Sequence, residues 1–268
     1  ILICPACGRS YLGVNNTNRA ACDCGQSLEA IHPRLGMPMC DMFAVRRARI
    51  TADEEERLRL GYEITPHYSK GGYSRRFGVW SGEREKFILT LENEGEVLLV
   101  NHGTRNPQGQ SEGFTLCRKC YAWLLTGEAA SRHVRNVSQQ GECPQGAREE
   151  DLLHNLWLTH LQHSDMAIFD VPLPDGVQPE EFYTTLKNAL LRGLMVAFQV
   201  DESELGGFLL PDPENPLNYR VILYETSTGG SGILSALNEP DRMNSLIARM
   251  RELLHGNEGD EACERACY

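Results

Sequence analysis

Beyond Pro66 the chain alternates at period two: Arg76 to Trp80, Lys86 to Leu91, and Glu96 to Asn101, with Asn93-Glu94-Gly95 as the turn between the last two. Phe87, Leu89 and Leu91 alternate with Ile88 and Thr90, so both faces of the predicted hairpin contact protein, and a β-layer is expected. Elsewhere the period lengthens. Thr51-Ala52-Asp53-Glu54 is a capping box, with Thr51 placed to bond the N–H three residues on, and predicts a helix through Leu60. Pro179-Glu180-Glu181 opens a second helix, Phe182 through Val196, whose Leu186, Leu190 and Leu194 make an apolar stripe. From Leu152 to Val171 the apolar positions are irregular. That segment reads either as a helix presenting His154, His160 and His163 or as two buried strands joined near Ser164-Asp165.

With 268 residues and 41% apolar content the chain has material for about two domains. No apolar run approaches the roughly 20 residues that span a bilayer, so a soluble protein is expected. The chain begins Ile1-Leu2-Ile3 and stops at Cys267-Tyr268 inside a cysteine motif, as a fragment of a longer protein would. The net charge of −11 hides an asymmetry: residues 1–150 carry 19 Lys/Arg against 18 Asp/Glu, and residues 151–268 carry 7 against 19, balances of +1 and −12. Phosphate contacts need concentrated cations and are therefore expected in the first half.

The chemistry begins with the cysteines. Cys4-x2-Cys7, fourteen residues, then Cys22-x-Cys24 is a zinc-ligand spacing, with Gly8 and Gly25 following the pairs as in tight metal knuckles. Two structural disulfides are the alternative. Cys117-x2-Cys120, then His133 and Cys143, would close a second, Cys3His zinc site, with His154 or Cys40 as other candidates for the fourth ligand. Ten cysteines, mostly in short-range pairs, fit reduced metal thiolates in a cytoplasm better than a secreted disulfide framework.

Cations and rings interleave in the first half. Arg46, Arg47 and Arg49 form one run, and Lys70, Tyr73, Arg75, Arg76 and Phe77 form a strip suited to stacking on bases and pairing with phosphates, single strands above all. A solvated edge strand is the alternative. In the second half a buried strand, Val221 to Glu225, ends at a carboxylate, passes Gly229-Gly230-Ser231-Gly232 and enters a helix at Ile233. Such a turn can present N–H groups to an anion, or it can serve close strand-to-helix packing. It lacks the Lys and Ser/Thr of a P-loop, and no nucleophile–base pair points to an enzyme within this chain.

The order Cys117, Cys120, His133, Cys143, then Tyr224-Glu225, Gly229-Gly230-Ser231-Gly232 and a terminal Cys263-Glu264-Arg265-Ala266-Cys267-Tyr268 resembles the zinc-binding domain of mitomycin-repair-factor-type (MrfA-type) helicases, a module also found in DISARM and Druantia antiphage systems. The segment Ile50 to Tyr62 is similar to the region just upstream in the large helicases of that group. The resemblance implies zinc as cofactor, a third site at Cys263 and Cys267 that is incomplete here, and an ATP-dependent superfamily-two DNA helicase as parent, acting in phage defence or DNA repair. The expected fold is α+β: a zinc ribbon over 1–30, a connector with a short helix and the basic-aromatic strip over 31–85, and a mixed sheet-and-helix domain over 86–268 stapled by the second zinc. Two roles follow, a DNA-handling accessory module or a scaffold that docks the helicase to a defence-system partner subunit, for which the acidic second half offers a surface.

Overall fold

The computed structural model describes residues 1–13, 18–39, 62–81, 84–104, 111–124, 127–134, 141–212, 215, 218–227 and 230–254. The capping box at Thr51 with its helix, Arg46, Arg47, Arg49, Cys40, Gly229, Cys263 and Cys267 lie outside the described residues.

The architecture is α+β. Strands β1 (Leu2–Ile3) and β2 (Ser10–Tyr11) pair antiparallel as a small ribbon. The other strands are β3 (Gly36–Pro38), β4 (Tyr62–Lys70), β5 (Tyr73–Ser81), β6 (Arg84–Thr104), β7 (Phe114–Cys117), β8 (Trp123–Leu124), β9 (Leu152–Asp170), β10 (Leu205–Pro211) and β11 (Tyr219–Glu225). They form one sheet whose main path runs β10-β11-β9-β6-β4, with β5 also on β6, β3 and β7 on β9, and β8 on β7. Three helices are described: α1 (Gly127–His133), α2 (Pro179–Phe198) and α3 (Pro240–Leu253).

The long strands settle two readings left by the sequence. Leu152–Asp170 is neither a histidine-bearing helix nor two strands; it is one 19-residue strand. Asn93-Glu94-Gly95 does not reverse the chain. It is a bulge inside the 21-residue β6, where the register to β9 jumps from Glu92↔Met166 to Gly95↔Ser164 and Glu94 takes φ 57°. An extra residue on one strand inverts the facing of everything beyond it. Leu89 and Leu91 accordingly point to one core, and Val97 and Leu99, also odd-numbered, to the other. The chain reversal comes earlier, between β5 and β6.

At the level of the bulge the neighbouring strand also breaks. β4 and β5 run end to end along β6, pairing through Lys70↔Glu96 and Tyr73↔Asn93. Gly71 and Gly72 lie between them. Both segments, 62–70 and 73–81, thus hydrogen-bond to the same strand of the main sheet.

One face of the sheet is covered by α2 and α3. Leu91, Ala167, Phe169 and Leu223 meet Tyr183, Leu190, Leu194, Met243 and Leu246 in the larger core, and each large side chain buried there contributes about 1.5–3 kcal/mol. α2 starts with Pro179 at its first turn and ends at Gln199 in the left-handed conformation. The helix expected to begin at Ile233 starts instead at Pro240, after a 3-10 turn over Ser235–Asn238. Proline is preorganised for a first helical turn and has no N–H to leave unpaired there.

The opposite face carries a smaller core of Tyr68, Val97, Met166, Phe208, Ile222 and Tyr224, and the ribbon docks beside it. The Gly8 carbonyl lies 3.0 Å from His67 Nδ1, and Thr65 Oγ1 lies 2.7 Å from His67 Nε2 and 2.6 Å from His102 Nε2. A carbonyl only accepts, so His67 Nδ1 carries the proton. With the ring neutral, its Nε2 accepts the Thr65 hydroxyl, which in turn accepts from His102. Burial lowers the His67 pKa, in keeping with the neutral ring.

A Cβ on Gly72 would lie 1.7 Å from the Asn93 carbonyl oxygen, whereas one on Gly127 would meet nothing within 4 Å. Gly72→Ala is expected to cost about 1–3 kcal/mol, and Gly127→Ala to stay within about 0.5 kcal/mol of the parent. Urea unfolding of both variants checks this; equal midpoints would show that the β4–β5 break tolerates a side chain.

Candidate zinc centres and nucleic-acid interface

Each cysteine cluster is assembled from two backbone knuckles of the same two kinds. In the ribbon, the Cys4 carbonyl accepts from Gly8 N and the Cys22 carbonyl from Gly25 N, both at 2.9 Å. In the second cluster the Cys117 carbonyl accepts from Tyr121 N at 2.9 Å and the Cys143 carbonyl from Gly146 N at 3.0 Å. The closing residue is left-handed every time: Gly8 at φ 67°, Gly25 at 89°, Tyr121 at 59° and Gly146 at 63°. Each such turn aims a cysteine inward, which is how a short C-x2-C or C-x-C segment makes half of a tetrahedron.

The ligand atoms of Cys4, Cys7, Cys22 and Cys24 all lie within 4.8 Å of one another, as do those of Cys117, Cys120, His133 and Cys143. Sulfur–sulfur separations are 3.7 Å for Cys4–Cys24 and 3.5 Å for Cys7–Cys22. A disulfide needs about 2.05 Å, and a tetrahedral zinc with Zn–S bonds near about 2.3 Å sets edges of about 3.8 Å. The disulfide alternative therefore fails on distance, and a zinc ion fits. In the second cluster Cys120 Sγ and His133 Nε2 are 3.2 Å apart. His133, placed by the end of α1, is buried at 7% exposure rather than solvated between its arginine neighbours. The competing ligand His154 points elsewhere, with Nε2 2.9 Å from Glu149 Oε1 and Nδ1 3.2 Å from Thr115 Oγ1. His160 and His163 are exposed on β9.

The thiols are electrostatically unequal. Burial pushes Cys4 and Cys7 up. At Cys22 the same burial is outweighed by hydrogen bonds from the Cys24 N–H, the Tyr11 hydroxyl and the neighbouring thiols, which bring it down to about 7. Tyr11 Oη lies 3.0 Å from Cys22 Sγ and accepts from Asp23 N at 3.0 Å. In the second cluster burial also pushes Cys143 up, but the Ala147 and Gln145 N–H groups win and lower it. A thiol held low in this way binds a cation without a large cost of deprotonation. No sequence spacing singled out Tyr11.

The glycine turn serves its own strand. Glu225 is fully buried, and its Oε2 accepts from Ser231 N, from Ser231 Oγ at 3.0 Å and from Gly232 N at 3.0 Å, while Oε1 accepts from Leu234 N at 2.8 Å. The N–H groups that an external anion would have used are satisfied by this carboxylate. Gly230 and Gly232 take φ 72° and 79°, and a Cβ on Gly230 would press to 3.1 Å from Glu225 Oε2. The adjoining Asp165 accepts from Asn93 Nδ2 at 3.0 Å and Ser235 Oγ at 2.8 Å, tying the turn to the bulge. The Ser164-Asp165 pair interrupting an apolar run was the available sequence signal for that contact.

The basic-aromatic strip is divided by the pleat. Phe77 and Val79 pack towards the helix-covered core, so Tyr73 and Arg75 share that side and Arg76 points to the other. Tyr73 is 75% exposed, and both arginines are exposed. Lys70 ends β4 across the Gly71-Gly72 break.

The family comparison bears on the last third of the chain. Residues 186–268 match the MrfA Zn-binding domain. That MrfA-type region takes in most of α2, the β10–β11 hairpin, the glycine turn, α3 and the terminal cysteines, while both four-ligand clusters precede it. Among solved structures the chain is similar to the crystal structure of the DUF1998 helicase MrfA bound to DNA, at 11% identity and a TM-score of 0.35, over 76% of this chain and 23% of that one. So loose an overlap fixes no residue-by-residue correspondence. No curated protein matches the sequence.

Glu225→Ala would strand several donors at a buried site, each costing about 1–3 kcal/mol. The expected loss is about 3 kcal/mol or more by chemical unfolding, with Glu225→Gln, which keeps one carbonyl oxygen, in between. An alanine variant as stable as the parent would show that the carboxylate does not hold the turn.

Proposed function

We propose that this chain is a zinc-stapled accessory module of an ATP-dependent DNA helicase, handling a single strand as it passes the motor. The match of residues 186–268 to the MrfA Zn-binding domain carries the reading; the two ligand clusters and the cations of the first half support it. The solved MrfA structure is of a helicase bound to DNA. On this reading one zinc sits on Cys4, Cys7, Cys22 and Cys24, and one on Cys117, Cys120, His133 and Cys143. Cys263 and Cys267 are ligands of a third site completed elsewhere. The parent's setting is phage defence or DNA repair, in the cytoplasm.

Bound zinc would add folding energy to the small apolar clusters around these cysteines, Leu2, Tyr11 and Leu28 at the first and Leu124, Ala130, Val134, Ala147 and Leu152 at the second. Purified, reduced chain is expected to hold about two tightly bound zinc ions, and Cys22→Ser and Cys143→Ser to lose about one each. Elemental analysis finding no zinc in folded, reduced protein would overturn the assignment.

The functional test is salt dependence. Single-strand binding through phosphates predicts that log affinity falls linearly with log salt, by about 0.7 per phosphate contacted. Anisotropy of a labelled oligothymidine against a duplex of equal length is expected to show tighter single-strand binding with such a slope. Absence of DNA binding by the zinc-loaded chain would favour the scaffold that docks the helicase to a partner subunit.

A further inference from the structure

We propose that the cleft between the zinc ribbon and the uncovered face of the sheet seats a backbone phosphate of a single nucleic-acid strand, gripped by Arg9, Arg76 and Arg220. The inference rests on the DNA-handling reading and gives it a site that the strip alone did not contain.

The cleft has a volume of about 200 Å³. That is below the roughly 300–1,000 Å³ of drug-sized ligand sites and suits a phosphate group better than a nucleoside. Three arginines line it from three elements: Arg9 from the ribbon, Arg76 from β5 and Arg220 from β11. Arg9 is held by Asp23 at 2.5 Å and lies over the Tyr68 ring at 5.1 Å. Among the described residues Arg76 has no hydrogen-bond or ion partner; Arg220 donates from Nη2 to Asp212 Oδ1 at 3.4 Å, while its Nε, 3.9 Å from Asp170, is buried without a hydrogen-bond partner.

The free charge in the cleft sits on Arg76. Its lining holds three arginines with Asp170 and Glu92, and Asp23 and Asp212 pair with Arg9 and Arg220 beside it, so Arg76 is the cation without a carboxylate of its own among the described residues, and the other two present donors already oriented by their acids. Glu92 is buried at 7% exposure, accepts from Tyr68 Oη at 3.2 Å, and has its pKa raised by burial, which weakens it as a competing anion. Planar guanidinium groups match phosphate oxygens in pairs. The Arg9 contribution makes the seat depend on the ribbon, and hence on zinc.

The test is anisotropy of a labelled oligothymidine with the zinc-loaded chain and three variants whose folding and zinc content are verified. Arg76→Ala is expected to weaken binding roughly tenfold and to lower the salt slope by about 0.7. Asp170→Asn, which removes a carboxylate from the cleft, is expected to tighten binding, and Arg75→Ala, on the other face, to have the smaller effect. If the parent chain binds the strand but Arg76→Ala and Asp170→Asn match it, the cleft is overturned while the DNA-handling reading stands. If the parent chain does not bind at all, that reading itself fails. Inorganic phosphate at constant ionic strength is expected to compete weakly; complete displacement at low millimolar phosphate would make the cleft a free-phosphate site and overturn the assignment to a strand.

Discussion

A buried carboxylate, Glu225, organises the centre of the molecule. It sits at the end of strand β11, between β10 and β9, and accepts from backbone N–H groups of Ser231, Gly232 and Leu234. A charge in that position needs full hydrogen bonding to be tolerated, and only a chain folding back through left-handed glycines can bring successive N–H groups to it. Its backbone carbonyl is also used, accepting from Gln162 at 2.7 Å and Ser164 at 2.5 Å on β9. One residue thus fixes strand end, turn and adjacent strand together. The segment leading to α3 is positioned by the same contacts, and through α3 the closure of the larger core.

The sheet accommodates this arrangement with a break in its ladders. The extra residue of β6, the Gly71-Gly72 break and Ser164-Asp165 of β9 lie side by side across three strands. Asn93 and Asp165 at that row reach Ser235 beyond the glycine turn. The bulge also decides which residues face which core, since beyond it the odd-numbered side chains of β6 change sides. A two-faced sheet results, with helices on one side and the ribbon on the other.

The ribbon is stabilised locally and oriented globally. Its four cysteines and the Tyr11 hydroxyl define an ion-sized space within about two dozen residues, but its placement depends on Gly8 against His67 and Arg9 against Tyr68. The second cluster is built into the sheet edge, because Cys117 ends β7, which pairs with the start of β9. The same pair of knuckles therefore does two jobs: in one place it closes a ribbon docked on the sheet, in the other it fastens a helix and a loop to a sheet.

What the sequence determined by itself is what local chemistry determines. Cysteine spacing with glycines at the knuckles selects the ligand clusters, because a metal site needs short turns and soft donors whatever the surrounding fold. Pro179 with a leucine stripe selects α2, and alternating residues select the strands. Tertiary structure decided everything that depends on facing and register. Asn93-Glu94-Gly95 has the composition of a turn, and only the pairing with β9 on both sides of it makes it a bulge. Arg75 and Arg76 are adjacent in sequence and on opposite faces in space, because the pleat alternates. Arg9, Arg76 and Arg220 are far apart along the chain and meet across one cleft. The glycine turn looked outward in sequence and looks inward in the fold, since a buried carboxylate binds N–H groups more strongly than solvent does when no water can reach it.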